Sequence, residues 1–135
     1  MAFDKLMAQA RRQFHVAQIT GLLTHHRVNG RGLVSVRELD AVLEALGYTD
    51  GATDILEEIT AFDVRQRRVP STALVVDAET GRPWAGFFEQ LSAAQVVVGD
   101  ERTYWEEALA QLDVAPPRRP RQRTPSRKRP SQRAR

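Results

Sequence analysis

The chain has 135 residues, 20 Lys or Arg, 17 Asp or Glu and no cysteine, for a formal charge of +3. Without cysteine it can form no disulfide framework, no thiolate zinc site and no cysteine nucleophile. No apolar run approaches the roughly 20 residues that span a bilayer. Met1-Ala2-Phe3-Asp4-Lys5 lacks the apolar stretch of a signal peptide, so the expectation is a cytoplasmic protein with no membrane contact.

At this length one compact domain is the default. The mild total charge hides a split. Up to Pro117 the chain holds 11 basic and all 17 acidic residues, a net of −6; from Arg118 onward it holds 9 basic and no acidic residues. An acidic body with a strongly basic tail points to a polyanionic partner.

Phe3, Leu6, Met7, Ala10, Phe14 and Ala17, with Leu22 as a further candidate, recur at spacings of three and four and predict an amphipathic helix over about 3–25. Its polar face carries Lys5, Arg11, Arg12 and Gln13. Its stripe would serve a homodimer or a protein partner as well as a core. Asn29-Gly30-Arg31-Gly32 breaks it. Ser35-Val36-Arg37-Glu38 has the spacing of a capping box. The stripe Val36, Leu39, Val42, Leu43 and Leu46 then predicts a helix over about 36–46, closed by Gly47. Thr53 or Asp50 would cap a third helix ending near Arg67, with Ile55, Leu56, Ile59 and Phe62 buried and Asp54, Glu57, Glu58 and Asp63 wet. Thr72–Val76 reads as a strand and Asp77–Gly81 as a tight turn. Arg82-Pro83-Trp84 reads as a poor edge strand because of its proline. Phe87, Phe88 and Leu91 suit a helix over about 85–94, Val96–Val98 is β-prone, and Asp100 caps a last helix through Tyr104, Trp105, Ala108, Leu109 and Leu112.

Beyond Pro116-Pro117 almost nothing is apolar, and such a segment cannot offset its ordering entropy, so it is expected to be disordered alone. The divisions are 1–28, an N-terminal amphipathic helix; 29–113, the main domain; and 114–135, an Arg/Pro-rich tail. The fold class is α+β, mainly helical, with a short β-hairpin. Helix, turn, capped helix, helix, strand-turn-strand is the order of a winged-helix domain, whose helix-turn-helix pair would be the second and third helices and whose wing would be residues 71–84.

The segments Arg68-Val69-Pro70-Ser71-Thr72-Ala73-Leu74-Val75-Val76, Thr80-Gly81-Arg82-Pro83 and Gly86-Phe87-Phe88 carry a narrower likeness. The chain resembles small uncharacterised bacterial and phage proteins with an Arg-Pro-x-x-Ser-Ala-x-Val-Val … Thr-Gly-x-Pro-Gly-x-Gly-Phe-Phe pattern. Those also tend to show a segment like Leu33–Leu39 and an aromatic pair like Tyr104-Trp105. The likeness covers about residues 30–112. Val69, Pro70, Thr72 and Trp84 depart from the pattern. The resemblance implies a winged-helix-like fold and little about activity.

The candidate nucleic-acid contacts in the tail are Arg118, Arg119, Arg121, Arg123, Arg127, Lys128, Arg129, Arg133 and Arg135. Arg forks suit phosphate, and without aromatics the tail can grip a backbone but not stack on bases. In the body the candidates are Arg65, Arg67 and Arg68 at the end of the third helix and Arg82 on the wing. The front of that helix carries Asp54, Glu57 and Glu58, which disfavours groove reading. Neighbouring His25 and His26 point about 100° apart on a helix, so no zinc site is expected. Asp63, Asp77 and Glu79 form no lysine-assisted nuclease pattern, Ser35 and Ser71 sit in no nucleophile elbow, and Gly81 and Gly86 open no P-loop. Trp84, Phe87 and Phe88 read as core. The expectation is a nucleic-acid-binding accessory protein, DNA before RNA, held to the backbone mainly by its tail, with no catalysis, cofactor or metal. The alternative is an assembly component of a phage or bacterial complex, whose tail solubilises it or docks on an acidic surface.

Overall fold

A computed structural model describes residues 2–115; the tail arginines, and the disorder expected of them, lie outside the described residues. Five α-helices and a two-stranded sheet enclose one core: α1 (Ala2–Val28), β1 (Val34–Ser35), α2 (Val36–Ala45), α3 (Thr53–Arg65), a 3₁₀ turn (Ser71–Leu74), β2 (Val75–Val76), α4 (Phe87–Ala93) and α5 (Glu101–Gln111). The chain is therefore mainly helical with a small sheet. No described helix is long and apolar enough to cross a membrane.

The capping box forms as the sequence predicts. The Glu38 amide donates to Ser35 Oγ at 3.1 Å, and the Ser35 amide donates to Glu38 Oε1 at 3.0 Å. The cap of α3 does not. Ala52 precedes the helix, and its amide donates at 2.8 Å to Asp40, which reaches across from α2. Neither Thr53 nor Asp50 takes the cap position; a carboxylate of another helix holds the Ala52 amide, one of the four unpaired donors of the helix start. Each of the five helices closes with paired 6→1 and 5→2 hydrogen bonds. After α3, for example, Arg68 N–H donates to Asp63 O and Arg67 N–H to Val64 O. Arg67 takes up the left-handed conformation there, with φ 59°.

The expected strand 72–76 shrinks to two residues. Ser71–Leu74 coils into the 3₁₀ turn instead, pinned to α3 by buried polar contacts. Asp63 accepts from the Ser71 amide (2.9 Å) and hydroxyl (3.2 Å), and the Thr60 and Thr72 hydroxyls meet at 2.6 Å. Asp63, expected wet, is thus buried, while Phe62, expected buried, is exposed. β1 and β2 pair in parallel, Val34 with Val75 and Ser35 with Val76. The expected hairpin reduces to one antiparallel bridge between Val76 and Pro83, because proline has no amide to extend the ladder. Asp77 holds the turn by accepting from the Glu79 and Thr80 amides. Val96–Val98 forms no strand: β2 already has β1 and Pro83 as neighbours, and Val97 is exposed.

The core draws Ile19 and Leu23 from α1, Leu39 and Leu43 from α2, Ile55, Leu56 and Ile59 from α3, and Leu74 and Val75 from the segment after it. Trp84, Phe87, Leu91, Trp105 and Leu109 complete it. Trp105 Nε1 donates to Ala73 O at 3.3 Å, tying α5 to the 3₁₀ turn. The buried face of α1 is His15, Ile19 and Leu23, not the stripe that marked the helix in the sequence: Phe3, Leu6, Met7 and Phe14 are exposed.

Candidate nucleic-acid interface

Two of the four predicted body arginines meet in space. Arg67 and Arg68 follow α3 directly, and both line an open cleft of about 800 Å³. The opposite wall comes from the last turns of α1, with Thr20, Thr24 and Arg27; Ser71, Tyr104, Gln111 and Leu112 complete it. Arg27 was missed by the sequence reading, which ended the first helix near residue 25. Its signal is a cation in the last turn of a helix, where it offsets the carbonyl end of the dipole. Arg65 is exposed in the last turn of α3 and does not line this cleft. Arg82 is further removed in kind: it belongs to the Asp77–Pro83 turn, whose Glu79 lies 3.7 Å from Arg37 of α2.

Arg68 is held in place. Its Nε donates to Asp63 Oδ1 at 3.1 Å, and its guanidinium carbon lies 5.5 Å from the centroid of the Phe62 ring. A cation over an aromatic face is attracted to the ring quadrupole. Asp63 therefore aims a cation that remains mostly exposed. Tyr104 brings a hydroxyl to the cleft, and burial raises its pKa above the ordinary value. It is a neutral donor at physiological pH. A folded-state pKa raised above the unfolded one contributes stability below about pH 10 that is lost as pH rises. Thermal midpoints should accordingly fall faster above about pH 10 in the natural chain than in Tyr104→Phe.

Three guanidinium groups, two threonine hydroxyls and a tyrosine hydroxyl suit phosphate oxygens; the one carboxylate of the lining, Asp63, already takes the Ser71 hydroxyl and Arg68 Nε. Leu112 lies on the same wall, and Arg118 follows six residues later, a span of at most about 20 Å.

The acidic front of α3 is partly neutralised within the fold. Arg12 Nε donates to Glu58 Oε1 at 2.7 Å and Arg12 Nη1 lies 3.7 Å from Asp54 Oδ2. Burial disfavours the Arg12 charge, but the hydrogen bond and charge of Glu58, helped by Tyr48 and Asp54, outweigh it and raise its pKa. Arg12, read as part of a wet face, is thereby an interhelical clamp.

Other candidate groups are occupied structurally. Asp63 and Asp77 hold backbone amides, Glu79 pairs with Arg37, and Ser35 caps α2. His25 and His26 have ring centroids 6.4 Å apart, and His25 Nδ1 is 3.0 Å from Asn29 Nδ2. Trp84 and Phe87 are buried, with rings edge to face at 6.0 Å. The loop between α1 and α2 has glycine and glutamate, Gly32 and Glu38, six residues apart within a helix–loop–helix, the relation found in calcium-binding loops. The first and fifth positions of that spacing are Arg27 and Arg31, and Glu38 is spent on Ser35, so the loop repels a divalent cation.

The chain matches no family model, no curated protein and no solved structure.

Proposed function

We propose that this protein is a cytoplasmic, non-enzymatic DNA-binding accessory protein that grips the phosphate backbone with its Arg-rich C-terminal segment. The observation that carries the reading is the run of nine cations without an acid from Arg118 to Arg135. Its support in the body is the cleft lined by Arg27, Arg67 and Arg68, which opens beside Leu112. In this reading the two act together as one cationic track. Arg65 lies on the adjoining last turn of α3 and would extend it.

A winged-helix-like arrangement fits the helix order, with α2 and α3 as the helix-turn-helix and the Asp77–Pro83 turn as a much reduced wing. In this reading α3 does not enter the groove, because its front carries Asp54, Glu57 and Glu58; recognition is of backbone charge and shape rather than base edges. The reading therefore implies weak sequence preference and steep salt dependence.

Replacing Arg27, Arg67 and Arg68 together with Glu should weaken duplex binding and reduce the log–log salt slope by about 3, measured by fluorescence anisotropy. An unchanged slope removes the cleft from the interface. Arg67→Gly separates fold from binding. A non-glycine residue in the left-handed region carries a penalty of roughly 1 kcal/mol, so this variant should melt higher than the natural chain while binding less DNA. If it binds as well as the natural chain, Arg67 does not touch phosphate.

A further inference from the structure

The exposed side of α1 has a period that the protein's own core does not use. Phe3, Met7, Ala10, Phe14, Ala17, Gly21, Thr24 and Val28 follow one another at alternating spacings of four and three, and all eight are exposed. Alternating steps of three and four over eight positions make a heptad seam, the pattern by which one helix packs along another. At 100° per residue the seam points roughly 170° away from His15, Ile19 and Leu23, which face the core. The body thus covers one side of α1 and leaves the other open along its length.

Gly21 adds an independent sign. A helical glycine is destabilising by roughly 0.5–1 kcal/mol relative to alanine. A Cβ at Gly21 would meet nothing within 4 Å, so no contact among the described residues calls for a glycine there.

We propose that the seam pairs with the same seam of a second copy, antiparallel, with Phe14 of one chain beside Ala17 of the other. In that alignment residue i faces residue 31 − i, so Phe3 meets Val28, Met7 meets Thr24 and Ala10 meets Gly21. Bulky residues then face smaller ones, and the two smallest residues let the backbones approach. A parallel alignment would instead set Phe14 against Phe14 and leave a gap at Gly21. Charge selects the same direction. The antiparallel register sets Asp4 opposite Arg27 of the partner and Lys5 opposite His26, whereas a parallel pair would set Asp4 on Asp4 and Arg27 on Arg27. Antiparallel packing also sets the two helix dipoles side by side in opposite directions, each positive end beside the partner's negative end. Thr24 belongs to both the seam and the cleft wall, so the partner's first turns border the cleft that holds Arg27. The dimer presents the Arg-rich segment twice, giving a bivalent grip on one long polyanion.

The natural chain has no cysteine, so introduced thiols report the alignment directly. Full-length Ala10→Cys and Gly21→Cys chains, mixed and oxidised, should form a disulfide-linked heterodimer, while either alone should cross-link little. Sedimentation should show concentration-dependent dimerisation of the natural chain. Phe14→Glu, whose unchanged helical spectrum is checked by circular dichroism, should weaken it by at least about tenfold. A chain that stays monomeric at high concentration overturns the proposal, including one that instead binds anionic lipid vesicles through Phe14. Single variants that cross-link as readily as the mixture overturn the antiparallel alignment, and an unchanged dimer in Phe14→Glu overturns the surface.

Discussion

A chain ending at Pro117 should lose most of its affinity for duplex DNA. With all nine tail cations on phosphates the tail contributes about −8 to the log–log salt slope, and with half of them about −4. The first value corresponds to a loss of roughly 10⁴- to 10⁵-fold in affinity between 50 and 200 mM salt, the second to a few hundredfold. The truncated body keeps Arg27, Arg67 and Arg68 in the cleft, enough for a slope of about −3 at most. It also carries a net charge of −6, which repels the duplex at long range. Both variants are titrated with one labelled duplex at four salt concentrations. Equal affinities and slopes for the two chains would remove the tail from the function, and an assembly role would then lead. Under the proposed reading, nine tail cations against three in the cleft make the tail the larger source of affinity.

Phe87→Ala should cost about 3–5 kcal/mol, the usual range for an aromatic residue removed from a closed core. Phe87 is 0% exposed, and its ring lies 5.1 Å from Phe88 and 6.0 Å from Trp84, both edge to face. It begins α4 directly after Gly86. Against a total stability of about 5–15 kcal/mol for a domain of this kind, the loss is a large share. Urea unfolding should show a lower midpoint with little change in slope. Phe14→Ala, measured at concentrations where the chain is monomeric, is the contrast. Phe14 is 50% exposed, so its removal should change stability by about 0.5 kcal/mol or less. Similar losses for both variants would mean that the two faces of α1 have been assigned the wrong way round.

The helices were legible because their signals are local. The Ser35–Glu38 capping box, the Gly47 stop and the Asp100 cap each involve residues within a few positions of one another, and each forms as expected. The 3₁₀ turn at Ser71–Leu74 was not legible. Its β-rich composition was overridden by Asp63 and Thr60, which lie 8 and 12 residues away from their partners and hold the turn through buried hydrogen bonds. The cap of α3 failed for the same reason, since Asp40 arrives from another helix. At the site, Arg67 and Arg68 could be named from their place after α3. Arg27 could not be joined to them, because 40 positions separate Arg27 from Arg67 and only folding closes that gap.

The sequence by itself determined the charge division, the helix order and the heptad spacing of α1, because composition and periodicity need no partner. Only the tertiary structure decided which side of α1 is inside. Apolar spacing shows that a helix has a face to cover, but the covering surface belongs to other elements. In this protein those elements pack on His15, Ile19 and Leu23 and leave Phe3, Met7 and Phe14 in solvent. The stripe that first revealed the helix thereby lies on the protein surface rather than in the core.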